Sequence, residues 1–125
     1  MFSISSSGSF SKTQAWLHRL KNDQQVRMIL ERGALKGVLA LRLATPVLTG
    51  RTASSWGYEI RKVKGGWILY FTNSDIENGF PVAVMIQYGY GTGSGGYVQG
   101  IDYINPALKP IFDEISNELW RAVIS

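Results

Sequence analysis

Few side chains in this sequence are equipped for bond-making chemistry. His18 is the single histidine and cysteine is absent, so neither a histidine metal site nor a Cys/His pair assembles within one chain. His18 stands beside Trp16 and Leu17 in a peripheral segment, where a partly exposed surface histidine is the ordinary outcome. The serines lack a G-x-S-x-G context, which argues against a Ser-His-acid triad. Asp75, Glu77 and Asp102 fall in loops and could meet in space, though no spacing requires it. The expectation is no catalysis and no metal.

Gly91-Thr92-Gly93-Ser94-Gly95-Gly96 formally matches G-x-G-x-x-G. A dinucleotide site needs a strand before that loop and a helix opening directly from it. Here Tyr97-Val98-Gln99-Gly100 follows, and the next helix waits until Pro106. No cofactor is expected. Residues 89–100 read instead as a long mobile loop, with Tyr90 and Tyr97 as anchors for a partner.

Charge is informative by halves. Residues 1–64 hold eleven Lys and Arg against Asp23, Glu31 and Glu59, giving +8, while residues 65–125 hold Lys109 and Arg121 against six acids, giving −4. A pI near 9.5 with fifteen aromatic residues fits a small basic nucleic-acid-binding module as one alternative. Against it, the aromatics fall largely at apolar-periodic positions and no arginine run or helix-turn-helix signature is present. No uninterrupted apolar run of about 18 residues exists to cross a membrane. Residues 1–11 are serine-rich without a basic start, unlike a secretory signal, and the lack of cysteine fits a reducing cytoplasm.

The elements that position these residues follow from periodicity. A flexible arm over residues 1–10 precedes a short helix over 11–21. A longer helix runs from about 23 to 44, with Val26, Ile29, Leu30, Gly33, Ala34, Gly37, Val38, Leu41 and Ala44 on one stripe. Gly33 and Gly37 imply close approach of another backbone, from the sheet behind. Pro46 ends the helix by driving Thr45 out of the α region, and Gly50 takes a positive φ in the turn that follows. Trp56, Tyr58 and Ile60 alternate with polar residues as a half-buried strand. Lys64-Gly65-Gly66 turns it back into a central strand carrying Trp67, Leu69 and Phe71. Residues 82–88 read as a third strand, with a short helix nearly as well supported, and 103–104 as a final short one. Asn105-Pro106 opens a helix with Leu108, Ile111, Phe112, Ile115, Leu119 and Val123 on its apolar stripe. The fold class is α+β: an antiparallel sheet of three to four strands, with the long N-terminal helix and the C-terminal helix packed on one face.

The order helix, P-V-x-T-G-R with serines after it, hairpin, Q-Y-G and N-P-A-L resembles the small tail-component family of tailed bacteriophages, over roughly residues 26 to 123. Pro46, Thr49, Gly50 and Arg51 match its P-x-x-T-G-x segment, Tyr88 and Gly89 its aromatic-glycine pair, and Pro106-Ala107 its P-A. Gln87 stands where an acid is common, and the loop at 89–100 is longer and richer in glycine. The resemblance implies a single head–tail joining domain over 11–125, in a non-enzymatic virion protein made in the host cytoplasm. It implies a ring, of six subunits, that joins tail to connector and leaves a channel for DNA. Partners would be further copies and other neck, connector or tail-tube proteins, with non-specific DNA contact in the channel and no membrane. The charge halves then suggest a contact between copies, with Arg27, Arg32 and Lys36 as donors and Asp113, Glu114 and Glu118 as acceptors.

Overall fold

The computed structural model describes residues 2–3, 23–46, 50–64 and 66–124. The expected helix over 11–21 with His18, the turn residue Thr49, the turn glycine Gly65 and the expected arm apart from residues 2–3 lie outside these.

The first helix, α1 (Asp23–Ala44), spans 22 residues. It begins with an acid in its first turn, where the helix dipole favours negative charge. The helix ends where Pro46 requires it to end. Thr45 stays within reach: its N–H donates to the Leu41 carbonyl at 2.9 Å and its hydroxyl to the same oxygen at 2.5 Å. The Trp56 indole N–H in turn donates to the Thr45 hydroxyl at 2.8 Å. The helix end and the first long strand are thereby joined by buried side chains.

A one-turn helix, α2 (Arg51–Ser54), leads into strands β2 (Trp56–Val63) and β3 (Gly66–Asn73), an antiparallel hairpin in register from Trp56↔Asn73 to Val63↔Gly66. Trp67, Leu69 and Phe71 alternate inward on β3 and are buried. A two-residue strand, β1 (Phe2–Ser3), pairs with the other edge of β3, so β3 is the central strand. The sheet thus has three strands, of which only β2 and β3 are of full length, so its full-length part is a two-stranded antiparallel hairpin and not the three to four strands expected. The remaining short strands pair among themselves as two separate ladders: β4 (Ile76–Glu77) with β5 (Phe80–Pro81), and β6 (Gly89–Gly91) with β7 (Tyr97–Gln99).

Residues 82–88 form a helix, α3 (Val82–Tyr88), and not a third strand. A short apolar run fits either period. Burial decides it, since Ala83 and Gln87, four residues apart, face inward together. Residue 104 likewise belongs to the last helix, α4 (Ile104–Ile124), and not to a final strand.

α1 packs on β2 and β3, and α4 packs chiefly along α1. The α4 helix meets the sheet through Phe112, whose ring stands edge-on to Phe71 at 6.3 Å between centroids. Gly33 and Gly37 do admit close neighbours, but those neighbours are side chains and not backbone. A Cβ at Gly33 would overlap Ile115 of α4, and one at Gly37 would overlap the Phe71 ring. The core is therefore locked by knobs from two different elements seated in two successive gaps of one helix.

Candidate functional site

Two of the segments singled out in the sequence, around α2 and along α3, line one cavity. Gly50 precedes α2 with φ 79°, a left-handed conformation. A Cβ at this position would meet no atom within 4 Å, so the requirement for glycine is a backbone one. Gly50→Val should lower stability by roughly 1 kcal/mol or more. An unchanged denaturation midpoint would show that the left-handed turn is dispensable.

Directly after Gly50, the Thr52 hydroxyl donates to Asp75 Oδ2 at 2.6 Å, and Arg51 Nε lies 3.3 Å from Asp75 Oδ1. Asp75 is only 3% exposed. Its Oδ1 has the Arg51 charge beside it but accepts no hydrogen bond among the described residues. Three further hydrogen bonds tie the backbone around it. Asn73 Oδ1 accepts from the Asp75 N–H (2.9 Å), Asn73 Nδ2 donates to the Thr52 carbonyl (2.8 Å), and the Val82 N–H donates to the Asp75 carbonyl (3.0 Å). A cavity of about 260 Å³ opens beside this corner, lined in part by Pro46, Asp75, Met85 and Tyr90. Asp75 was singled out in the sequence only as a loop acid. Its partners lie more than twenty positions back in the chain, and no local pattern reveals them.

At the far end of α3, Gln87 is buried and bonds through both ends of its amide. Its Oε1 accepts the backbone N–H groups of Tyr103 (3.0 Å) and Ile104 (2.9 Å), and its Nε2 donates to Asp102 Oδ1 at 2.7 Å. The opening N–H groups of a helix have no intrahelical acceptor, and Gln87 supplies one from another element. The sequence pattern Asn105-Pro106 makes Asn105 the expected N-cap and Pro106 the expected first helical residue. α4 instead starts two residues earlier, at Ile104, and the Asn105 side chain donates to Asp102 Oδ1 at 3.1 Å. Pro106 and Ala107 lie in the first turn, with Ala107 packed against the core. Gly89 ends α3 with φ 83°, which accounts for glycine after Tyr88.

Tyr103 anchors the same junction by donating its hydroxyl to the Ala83 carbonyl at 2.7 Å. Burial pushes its pKa up from 10.0 to about 12. The folded chain therefore holds this proton where the unfolded chain releases it. The associated stability is fully present below pH 10 and is lost as the pH rises towards 12, by about 2–3 kcal/mol in total. Tyr103→Phe should flatten that alkaline loss while costing about 1 kcal/mol at neutral pH through the lost hydrogen bond. Equal alkaline slopes for parent and variant, in denaturant titrations at several pH values, would contradict this.

Residues 89–100 are a built hairpin and not one open loop. The Thr92 N–H donates to the Gly96 carbonyl at 3.0 Å, and the Tyr97 hydroxyl reaches back to the Tyr88 carbonyl at 3.0 Å. Tyr88 and Tyr97 are nonetheless largely exposed, while Tyr90 is half-buried. The three loop acids do not converge. Asp75 goes to Arg51 and Thr52, Asp102 to Gln87 and Asn105, and Glu77 stays on the surface of β4. Among the described residues no cluster of His, Cys, Asp and Glu is arranged to hold a metal ion, and no helix is long and apolar enough to cross a membrane.

The charged residues expected to join one copy to the next are largely joined within the chain. Arg32 bonds Glu118 at 3.1 Å, Lys36 bonds Glu114, and Arg27 lies 3.5 Å from Glu31. A step of four along α1 is a step of four back along α4, so the antiparallel helices bring these charges opposite one another. Asp113 is exposed with no ion pair among the described residues. Arg51, Arg61 and Lys62 are also in ion pairs. The exposed pairs among these each contribute at most about 1 kcal/mol, and among the described residues Arg42, Lys64, Lys109 and Arg121 stand in no ion pair. No protein-family model, curated protein or solved structure matches this chain.

Proposed function

We propose that the chain is a structural, non-enzymatic virion protein of a tailed bacteriophage, forming a ring at the head–tail junction. It would join the tail to the connector and leave a channel for DNA, with neck, connector or tail-tube proteins as its neighbours. The observation that carries the reading is a pair of hydrogen-bonded clusters, one at each end of α3, that involve the three segments resembling the phage family. The first segment is clamped by Asp75 (Arg51 and Thr52), and Asp75 holds the start of α3 through the Val82 N–H. Gln87, beside Tyr88-Gly89, then holds the start of α4 at Tyr103 and Ile104. Segments far apart in sequence are thereby tied together beside the β4–β5 and β6–β7 ladders. Segments tied in this way suit a ring subunit, because ring closure demands a fixed angle between neighbours.

Loss of the chain from the phage that encodes it should leave filled heads and finished tails unjoined, with the density of the chain at the neck of the parent virion. Normal, infectious particles assembled without it would refute the assignment. Binding to DNA that weakens steeply with added salt, in a chain absent from the virion, would favour the nucleic-acid module instead.

A further inference from the structure

The short helix α3 presents two different faces. Ala83 and Gln87 are buried, while Val82, Met85 and Ile86, related by steps of three and four, line the cavity of about 260 Å³ beside Asp75. These three residues and Tyr90, which also lines it, are half-buried. One side of the cavity is therefore an apolar wall that is already sheltered from water. Thr52 and Ala53 add to the wall from α2.

The charged side chains on that wall, among the described residues, are two acids, Asp75 and Glu77. Residues 65–108 contain no Lys, Arg or His at all. Glu77 is exposed and stands in no ion pair among the described residues. Asp75 is the unusual member. A carboxylate accepts up to about four hydrogen bonds. Among the described residues the Asp75 side chain accepts one, at Oδ2 from Thr52, and its buried Oδ1 accepts none. Arg51 offsets the charge at 3.3 Å without supplying that bond; its side chain is 65% exposed and lies outside the cavity wall. A buried oxygen in this state calls for a donor. Two carboxylates beside apolar walls focus negative potential in the cavity, so the donor that fits best is itself cationic.

We propose that this cavity binds a small organic cation, an ammonium or guanidinium on a short aliphatic stem. The head group donates to Asp75 Oδ1, sharing that oxygen with Arg51, and Glu77 attracts it at the exposed rim. The stem lies on Val82, Met85 and Ile86. A hydrogen bond between an ionised donor and a carboxylate is roughly twice as strong as a neutral one, and each methylene covered by the wall adds to it. The volume falls below the roughly 300–1,000 Å³ of drug-sized sites, which suits one head group and a few methylenes. A free amine and a lysine or arginine side chain of another protein share this chemistry.

Calorimetric titration with n-butylguanidinium and n-butylammonium chloride tests the site. At least one should bind with a dissociation constant on the order of 1 mM or tighter. The neutral analogue n-pentanol should bind at least about tenfold more weakly. The peptide acetyl-Gly-Arg-Gly-amide offers the same head group on a backbone. If it binds as tightly as the free cations, or more tightly, the source is a protein side chain; weaker binding identifies a free small molecule. No binding by any of the three cations would overturn the proposal. With the methionine methyl groups labelled, the Met85 signal should shift on titration while that of Met28, on α1, stays in place. A Met85 signal that does not move would place the ligand elsewhere and sink the assignment. Asp75→Asn should weaken binding by about tenfold or more, and Glu77→Gln by about threefold. Glu77 is exposed, so its variant keeps the fold and decides the matter alone if Asp75→Asn melts early. Affinity unchanged in Glu77→Gln would refute the site. Binding here does not depend on the virion role, and either can fail while the other stands.

Discussion

Gln87→Leu should be among the most damaging substitutions in the chain, lowering stability by roughly 2–4 kcal/mol. The leucine fills a similar volume but strands the N–H groups of Tyr103 and Ile104, and each buried unpaired donor costs about 1–3 kcal/mol. It also removes the donor to Asp102. For a domain of this size the melting temperature should fall by about 10 °C. Gln87→Glu should be milder, because a carboxylate still accepts both N–H groups at a helix start. It should also be pH-dependent, because the other carboxylate oxygen faces Asp102 where Nε2 now donates. A leucine variant that melts with the parent would mean that water replaces the lost cap.

Gly37→Val should destabilise by about 3 kcal/mol, and Gly37→Ala by less. On an open helix surface, alanine in place of glycine gains about 1 kcal/mol. At this position the new Cβ would overlap the Phe71 ring. That ring is fully buried and held edge-on by Phe112, so it has nowhere to turn. Overpacking of this kind typically costs about 1–3 kcal/mol, and the clash outweighs the gain in propensity. Phe71→Leu, destabilising alone, should partly rescue Gly37→Val, and a double-mutant cycle would expose the coupling. A rise in melting temperature for Gly37→Ala would show that the gap at residue 37 is looser than the packing indicates.

The buried faces of α1 and α4 were legible in the sequence, and so was the stop at Pro46. A helix buries residues three and four apart, so the sequence itself carries the pattern, from Val26 to Leu41 and from Leu108 to Leu119. Gly50 was legible for the same local reason, since the turn after the helix needs a positive φ at one position. The exposed row at Met28, Leu35, Leu39 and Leu43 has the same spacing. It lay hidden only because the more complete stripe on the opposite side accounts for the helix by itself.

What the sequence by itself determined, then, is what neighbours a few positions apart can enforce: two amphipathic helices, one hairpin and one glycine corner. Tertiary structure alone decided that residues 82–88 are helical and that Gln87 caps a helix sixteen positions away. It also turned Arg32 and Lys36 to Glu118 and Glu114 of their own chain. An amide or a carboxylate bonds whichever partner the packing brings within about 3 Å, and its place in the sequence says nothing of which partner that is. Apolar periodicity is a property of one element, whereas a polar pairing is a property of two elements and of the angle between them.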